Sequence, residues 1–410
     1  MKFFFPDSHD LVDPSFDFES ERRSYSGSRQ LSQQYAHEAL ASAPYDGMLL
    51  SKAVVDGRSK STRYNFAQVR SLLDNGVHEF LRLTATPKRP RLAAMGDCGS
   101  FSFASESEPP YTVAEVLDFY MQCGFDYGIS LDHVILGYQT DPRKEVPPDW
   151  IERHKMTMEL ASDFLALSNR VPNFKPIGAA QGWSPESYRD SVKQLQRMGY
   201  DYVAIGGLVP LKTPEILEVL QAVSTVRKGK TKVHLLGISR LESFDAFEAH
   251  GVASLDSTAP LKQAFMDDKN NYHTPDGLFT AIRIPQVDGN PQLRRSILAG
   301  RIDLSKALQL ERGAMSAVLA YANRKGSLDS AVDALRTYEQ LWSGKKDSSS
   351  ASRVTLQARP WEKCSCSICK TIGVHVVIFR GAERNRRRGF HNLFVLHNNL
   401  LQLNSPSTSL

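Results

Sequence analysis

Five cysteines in 410 residues are too few for a disulfide framework, and Cys98 and Cys123 stand singly in apolar or Gly-rich surroundings. A reducing cytoplasm suits that usage best. No apolar run approaches the ~20 residues that span a bilayer. The opening Met-Lys-Phe-Phe-Phe-Pro-Asp turns acidic before a signal-peptide core can form, so the expectation is a soluble cytoplasmic protein without a membrane partner. There is no internal repeat. No Gly-rich phosphate fingerprint follows the first apolar run, which counts against a doubly wound dinucleotide fold. Charge of one sign is also scarce: 50 Lys and Arg against 45 Asp and Glu leave +5, which permits a polyanionic partner without requiring one.

What the chain does have is a hydrophobic content of 41%, enough for one large domain and a smaller one. Short apolar runs ending at a Gly or a polar residue alternate with stretches of helical period. The runs Gly47–Val55, Glu79–Leu83, Leu92–Gly96, Tyr127–Leu136, Lys175–Ala180, Tyr202–Gly206, Lys232–Ile238 and Val252–Leu255 read as strands, about eight, which is the number of a (β/α)8 TIM-type barrel. Helix starts are legible between them at Ser184-Pro185-Glu186 and Thr213-Pro214-Glu215. The division expected is a barrel with additional helices over 1–342, a Ser-rich linker over 343–352, a metal-binding subdomain over 353–403 and a frayed tail over 404–410.

In such a barrel the chemistry sits where the strands stop. The stops here carry Asp97 and Gly99, Asp132, Gln181, Gly206 and Gly207, and Asp256. An Asp after a strand often does no more than cap the next helix. Two carboxylates and an amide converging beside a Gly pair, which lets a flat ring approach the backbone, instead describe glycosyl transfer to a planar base. Near the end of the chain Cys364, Cys366 and Cys369 fall inside six residues. They could form one disulfide with a thiol left over, or join a downstream His in a closed tetrahedral Zn²⁺ site; the crowding favours zinc.

Several strings resemble the queuine and archaeosine tRNA-guanine transglycosylase superfamily. Met-Gly-Asp-Cys-Gly-Ser-Phe is similar to its V-D-S-G-G-F, Ala-Ala-Gln-Gly-Trp to V-Q-G-G, Tyr-Val-Ala-Ile-Gly-Gly-Leu to A-I-G-G-L, and His-Leu-Leu-Gly-Ile-Ser to Y-L-M-G-V-G. Order and approximate spacing match over roughly 90–400. The opening Lys-Phe-Phe-Phe-Pro-Asp-Ser and Leu-Asp-Ser-Thr-Ala-Pro-Leu-Lys look most like the branch that inserts 7-deazaguanine bases such as preQ0 into DNA.

The resemblance implies Asp256 as the nucleophile forming a covalent aspartyl-sugar ester, and Asp97 as the second, proton-shuttling carboxylate. It implies Asp132, Gln181, Gly206 and Gly207 as the groups that bind the base. It implies one structural Zn²⁺ per chain on Cys364, Cys366, Cys369 and a distant His, for which Phe394-Val395-Leu396-His397-Asn398 fits the family context better than His391. The partners implied are DNA or, alternatively, tRNA, a 7-deazaguanine base, and helper proteins that open a duplex.

The chain departs from the family pattern at Ser100, at His133 after Asp132, and at Ser-Thr-Ala-Pro-Leu-Lys in place of a Pro-Thr-Arg. His133 by itself reads as a packed residue. Of the basic runs, Arg227, Lys228, Lys230 and Lys232 read as a solvated face. The run Arg380, Arg384, Arg386, Arg387 and Arg388, beside the metal element, is expected to hold a nucleic-acid backbone through Arg384, Arg386, Arg387 and Arg388. A non-catalytic nucleic-acid-binding subunit would lack a carboxylate; Asp97 and Asp256 are both present.

Overall fold

The computed structural model describes residues 1–23, 32–59, 64–169, 171–343 and 347–403. Eight parallel strands close into a barrel: β1 (Lys2–Pro6), β2 (Gly47–Ser51), β3 (Ala93–Asp97), β4 (Tyr127–Ile129), β5 (Lys175–Ala180), β6 (Tyr202–Ile205), β7 (Lys232–Leu235) and β8 (Val252–Asp256). Each pairs with its sequence neighbour, and β1 closes the ring by pairing with both β8 and β2. The barrel class expected from the alternating rhythm is therefore the one formed.

Seven of the eight expected strands are present, most of them shorter than the apolar runs that announced them. Glu79–Leu83 is not a strand. Its first two residues end the helix Phe66–Phe80, which is kinked at Gly76, and Val77, Phe80, Leu81 and Leu83 bury at spacings that keep them on one side of that turn. The missing member is β1, whose three phenylalanines are all buried. Strand alternation then sets the interior. Phe4, Leu49, Met95, Ile129, Ile177 and Ala204 point inward and pack together. The same parity carries Asp97 two residues beyond Met95, so the core layer leads directly into polar side chains at the carboxyl ends of the strands.

Helices between the strands start and stop as local chemistry dictates. Ser184 caps Pro185–Met198, its hydroxyl accepting from Ser187 N at 3.3 Å, and Gly199 ends it at φ +118°. Thr112 and Glu115 form a reciprocal cap on Val113–Cys123.

The described chain falls into two compact units. One holds Met1–His9 and Tyr45–Thr258, together with the last turn of the final helix from Leu400; the other holds Asp10–Pro44 and Ala259–Asn399. The second contains the helices Leu304–Ala322, Leu328–Ser343 and Ser349–Ala358. Part of the Ser-rich stretch read as a linker is thus helical: Ser348 donates from its backbone N–H and hydroxyl to the Glu339 carboxylate, and Ser349 and Ser352 are buried. Residues 344–346 and the tail 404–410 lie outside the described residues. Among the described residues no helix is long and apolar enough to cross a membrane.

Candidate active site and metal centre

At the carboxyl ends of the strands lies a cavity of about 230 Å³, lined by Asp97, Gln181, Gly206, Gly207 and Asp256 together with Asp7, Ser51, Phe101, Val134 and Leu236. That volume, below the ~300–1,000 Å³ of drug-sized pockets, suits a single heterocycle. Five of the six residues expected at the site therefore share one wall. Gly206 and Gly207 are dictated by shape: a Cβ on Gly206 would fall 2.3 Å from Gln181 Nε2, while Gly207 sits at φ +74° with Ile135 O 2.5 Å from where its Cβ would be. Tyr188 OH donates to Gly206 O at 2.9 Å and fixes that step in the chain.

Asp132, the sixth, stands behind this wall. It is 1% exposed, and its oxygens accept from Cys98 Sγ at 3.1 Å and from Gln181 Nε2 at 2.6 Å. Gln181 Oε1 accepts from Ile135 N at 3.3 Å. The amide is thereby oriented by its neighbours. Burial pushes the Asp132 carboxyl above the usual carboxylate range, against the hydrogen bonds from Cys98 and Gln181. Asp97 is also raised, to about 7, by burial first and then by the charges of Asp132 and Asp256, with the Cys98 and Gly99 N–H groups working the other way. His133 is packed, as its bland reading had it: buried, with Nε2 2.9 Å from Glu106 O and Nδ1 2.7 Å from Arg153 Nη1.

Asp256 Oδ1 accepts from His234 Nε2 and from Gly237 N, both at 3.1 Å. His234 was not among the residues singled out from the sequence. The signal was there, a histidine inside the apolar strand Lys232–Leu235 at the parity that faces the barrel interior. Asp7, at the end of β1 and bonded by Tyr64 OH at 2.6 Å, was missed along with its strand.

The second unit brings Cys364, Cys366, Cys369 and His391 together, with all four ligand atoms within 4.8 Å of one another. His391, not His397, is the histidine at the sulfurs. Its Nδ1 lies 3.4, 3.6 and 3.4 Å from Cys364, Cys366 and Cys369 Sγ. Both histidines ride on the helix Gly381–Leu403, but six residues at ~100° each rotate His397 about 240° away. The set fits a zinc-sized ion, since bonds of ~2.3 Å to sulfur and ~2.1 Å to nitrogen make a tetrahedral S–N edge of ~3.6 Å. His391 Nε2 donates to His273 O at 2.7 Å, which leaves the Nδ1 lone pair for a metal. The Tyr272 ring stacks on the imidazole at 4.1 Å. This Cys3His group can hold a metal ion.

The arginine run is not the phosphate-binding face expected of it. Arg384 pairs with Glu21 and donates to Phe18 O, and Arg387 bonds Glu383 at 2.6 Å and Asp13 O. Arg388 is 0% exposed, its guanidinium spent on the carbonyls of Ala264, Val376 and Ile378, and burial pulls it down to about 9. Arg386 is half-buried against Asp10 and Leu11 O. Arg380 pairs with Glu21 and Glu311. Guanidinium groups used up in this way hold their own unit together and have few donors left for a polynucleotide.

A barrel mouth lined by two carboxylates, one poised near neutrality, beside a glycine step is the equipment of a glycosyl-transferring enzyme. Comparison with known proteins narrows the class. No family model matches the chain. A DNA-guanine transglycosylase from Salmonella montevideo is 48% identical over 408 residues, 98% of this chain and 96% of that one. A queuine tRNA-ribosyltransferase from Chlamydia pneumoniae is 35% identical over 83 residues, 20% of this chain and 22% of that one. A queuine tRNA-ribosyltransferase from Marinobacter nauticus is 27% identical over 197 residues, 46% and 50% of the two chains. The chain belongs to the tRNA-guanine transglycosylase superfamily, and it is a guanine transglycosylase, hence a pentosyltransferase.

Proposed function

We propose that the enzyme exchanges guanine in DNA for a 7-deazaguanine of the preQ0 type. The observation that carries this reading is the extent of the likeness: a protein named for DNA matches almost end to end, while those named for tRNA match in part. In this reading Asp256 attacks C1′ of an unstacked nucleotide from the face opposite the departing guanine, and the incoming base displaces Asp256 from the face that guanine left. Two displacements return the original configuration. One N-glycosidic bond replaces another, so no energy source is consumed.

Gln181 and the Gly206-Gly207 backbone read the polar edge of the base between the apolar walls of Phe101, Val134 and Leu236, and Asp132 sets the amide of Gln181. The metal is zinc, held by Cys364, Cys366, Cys369 and His391, and structural, because four protein ligands leave no position for a water nucleophile. The cytoplasm is the compartment that suits this chemistry.

The test is direct. Purified enzyme given labelled guanine or labelled preQ0, with single-stranded DNA, duplex DNA and tRNA in parallel, should place label in DNA. Single strands remove the need for a helper that opens the duplex. Label entering tRNA and never DNA would overturn the DNA reading.

The same assay across pH examines Asp97, whose carboxyl sits near 7. Guanine release needs its proton and should slow as pH rises through about 7; capture of the incoming base needs the ionised form and should slow below it. Full exchange is then bell-shaped about neutrality. A carboxyl raised from 3.8 to about 7 contributes stability below the lower value that is lost as pH rises through the upper one. Asp97→Asn should therefore melt above wild type at alkaline pH while losing both limbs of the profile. A flat profile, or a variant that melts lower there, would remove Asp97 from this role.

A further inference from the structure

Beneath the cavity the barrel interior is apolar, filled by Phe4, Leu49, Met95, Ile129, Ile177 and Ala204. A line of polar side chains is threaded into it. Tyr202 OH is hydrogen-bonded to Ser254 Oγ, Ser254 Oγ lies 2.6 Å from His234 Nδ1, and His234 Nε2 lies 3.1 Å from Asp256 Oδ1. Ser254 and His234 are 0% exposed, Tyr202 7% and Asp256 5%. Strand geometry builds the line: Ser254 and Asp256 are two apart on β8 and share a face, and Ser254 is in register with His234 on β7. Placing four polar groups in a hydrocarbon core is costly unless every one is satisfied and the arrangement serves a purpose.

Their donors and acceptors can be assigned by elimination. A carboxylate only accepts, so the proton on the imidazole is at Nε2. In the neutral imidazole Nδ1 then accepts from the Ser254 hydroxyl, and Ser254 in turn accepts from Tyr202 O–H. Every group in the line is satisfied, and all the donors point toward Asp256. With Gly237 N also donating to Oδ1 at 3.1 Å, that oxygen is occupied twice.

We infer that His234, held by Ser254 and Tyr202, is a positioning residue for the nucleophile: it fixes Oδ1 of Asp256 and thereby selects Oδ2 as the oxygen that bonds C1′. The inference rests on the transglycosylase reading of Asp256. In the first displacement an Oδ2 lone pair forms the bond to C1′ while the C1′–N bond breaks; its electrons leave with guanine, which takes a proton from Asp97. Oδ1 is then the ester carbonyl oxygen and keeps both hydrogen bonds. In the return step the nitrogen of the incoming base attacks C1′ and gives its proton to Asp97, and the C1′–Oδ2 electrons go back to the carboxylate. The charge regained there meets two donors already aimed at it, with nothing to reorganise.

The test compares His234→Phe, His234→Gln and Ser254→Ala. Loss of the oriented donor in His234→Phe should lower the rate of exchange about 100-fold with KM for the free base within about twofold, since the base does not touch this residue. The amide N–H of His234→Gln can reach the same oxygen and should regain about tenfold, and Ser254→Ala should fall between. Crystal structures of wild type and variants give an arm that needs no substrate: the Asp256 carboxylate should leave its rotamer in His234→Phe and keep it in His234→Gln. An unmoved carboxylate in His234→Phe, no rescue by Gln, or a loss confined to KM would each overturn the inference. Absence of exchange by the wild type on every polynucleotide would strike the proposed function instead, and the crystallographic arm would still judge His234.

Discussion

Asp256→Asn should abolish both covalent capture of the polynucleotide and guanine release, by at least about 10⁴-fold, because the lone pair of an amide nitrogen is delocalised into its carbonyl and cannot attack C1′, and removing the nucleophile removes the path. The fold should hardly register the change. Asn can keep its carbonyl oxygen where Oδ1 now accepts from His234 Nε2 and Gly237 N, so the only atom exchanged is Oδ2, the oxygen proposed to bond C1′. A melting temperature within about 2 °C of wild type is expected for so nearly isosteric a replacement. Asp256→Ala is the contrasting variant. It leaves the buried His234 donor and the partly buried Gly237 N–H without an acceptor and should lose stability as well as activity. Adduct on a denaturing gel and release of labelled guanine read the two halves of the step. Undiminished release by Asp256→Asn would sink the assignment; adduct formed by Asp256→Asn but lost in Asp97→Asn would exchange the two roles.

The residues that meet at the barrel mouth were legible in the sequence although the extents of the strands, and the identity of one of them, were not. Lys2–Pro6 has five residues, no alternation and a proline at its end, and only its pairing with β8 and β2, far along the chain, makes it a strand. Glu79–Leu83 offers a run of equal apolar content, but its first two residues close the helix Phe66–Phe80 and Arg82 turns the chain at φ +55°. One error offset the other, so the expected number came out right. The site was legible because parity and the carboxyl-end rule are local: once β3, β5, β6 and β8 are placed, Asp97, Gln181, Gly206, Gly207 and Asp256 must face one mouth.

The arginine run was not legible, for an equally physical reason. A dense positive string in sequence does not reveal whether its counter-charges are in solvent, and Glu21 and Glu311, which hold Arg380, lie more than sixty residues away. The fourth metal ligand turned on helix phase. His391 and His397 each precede an Asn, and only the rotation of the helix decides which of them meets the sulfurs.

That choice sets the other large effect. Purified protein should carry close to one zinc per chain, and stripping it should unfold the element built on Cys364, Cys366, Cys369 and His391. In closed sites of this kind the metal's binding energy, apparent values of ~10–16 kcal/mol at neutral pH, is folding energy. The placement of the ligands explains why the metal matters to the shape of the element. Cys364 to Cys369 sit on short turns, Pro360–Lys363 and Ser367–Ile372, too brief to persist alone. His391 reaches them from the helix Gly381–Leu403, so the ion is the tie between segments more than twenty residues apart. His391→Ala and Cys366→Ala should therefore lose the metal and melt early, whereas His397→Ala should keep a full equivalent. Metal analysis alongside thermal melting separates the cases. Metal retained by His391→Ala and lost by His397→Ala would reverse the ligand assignment, and protein purified in the presence of zinc with none bound would remove the site altogether.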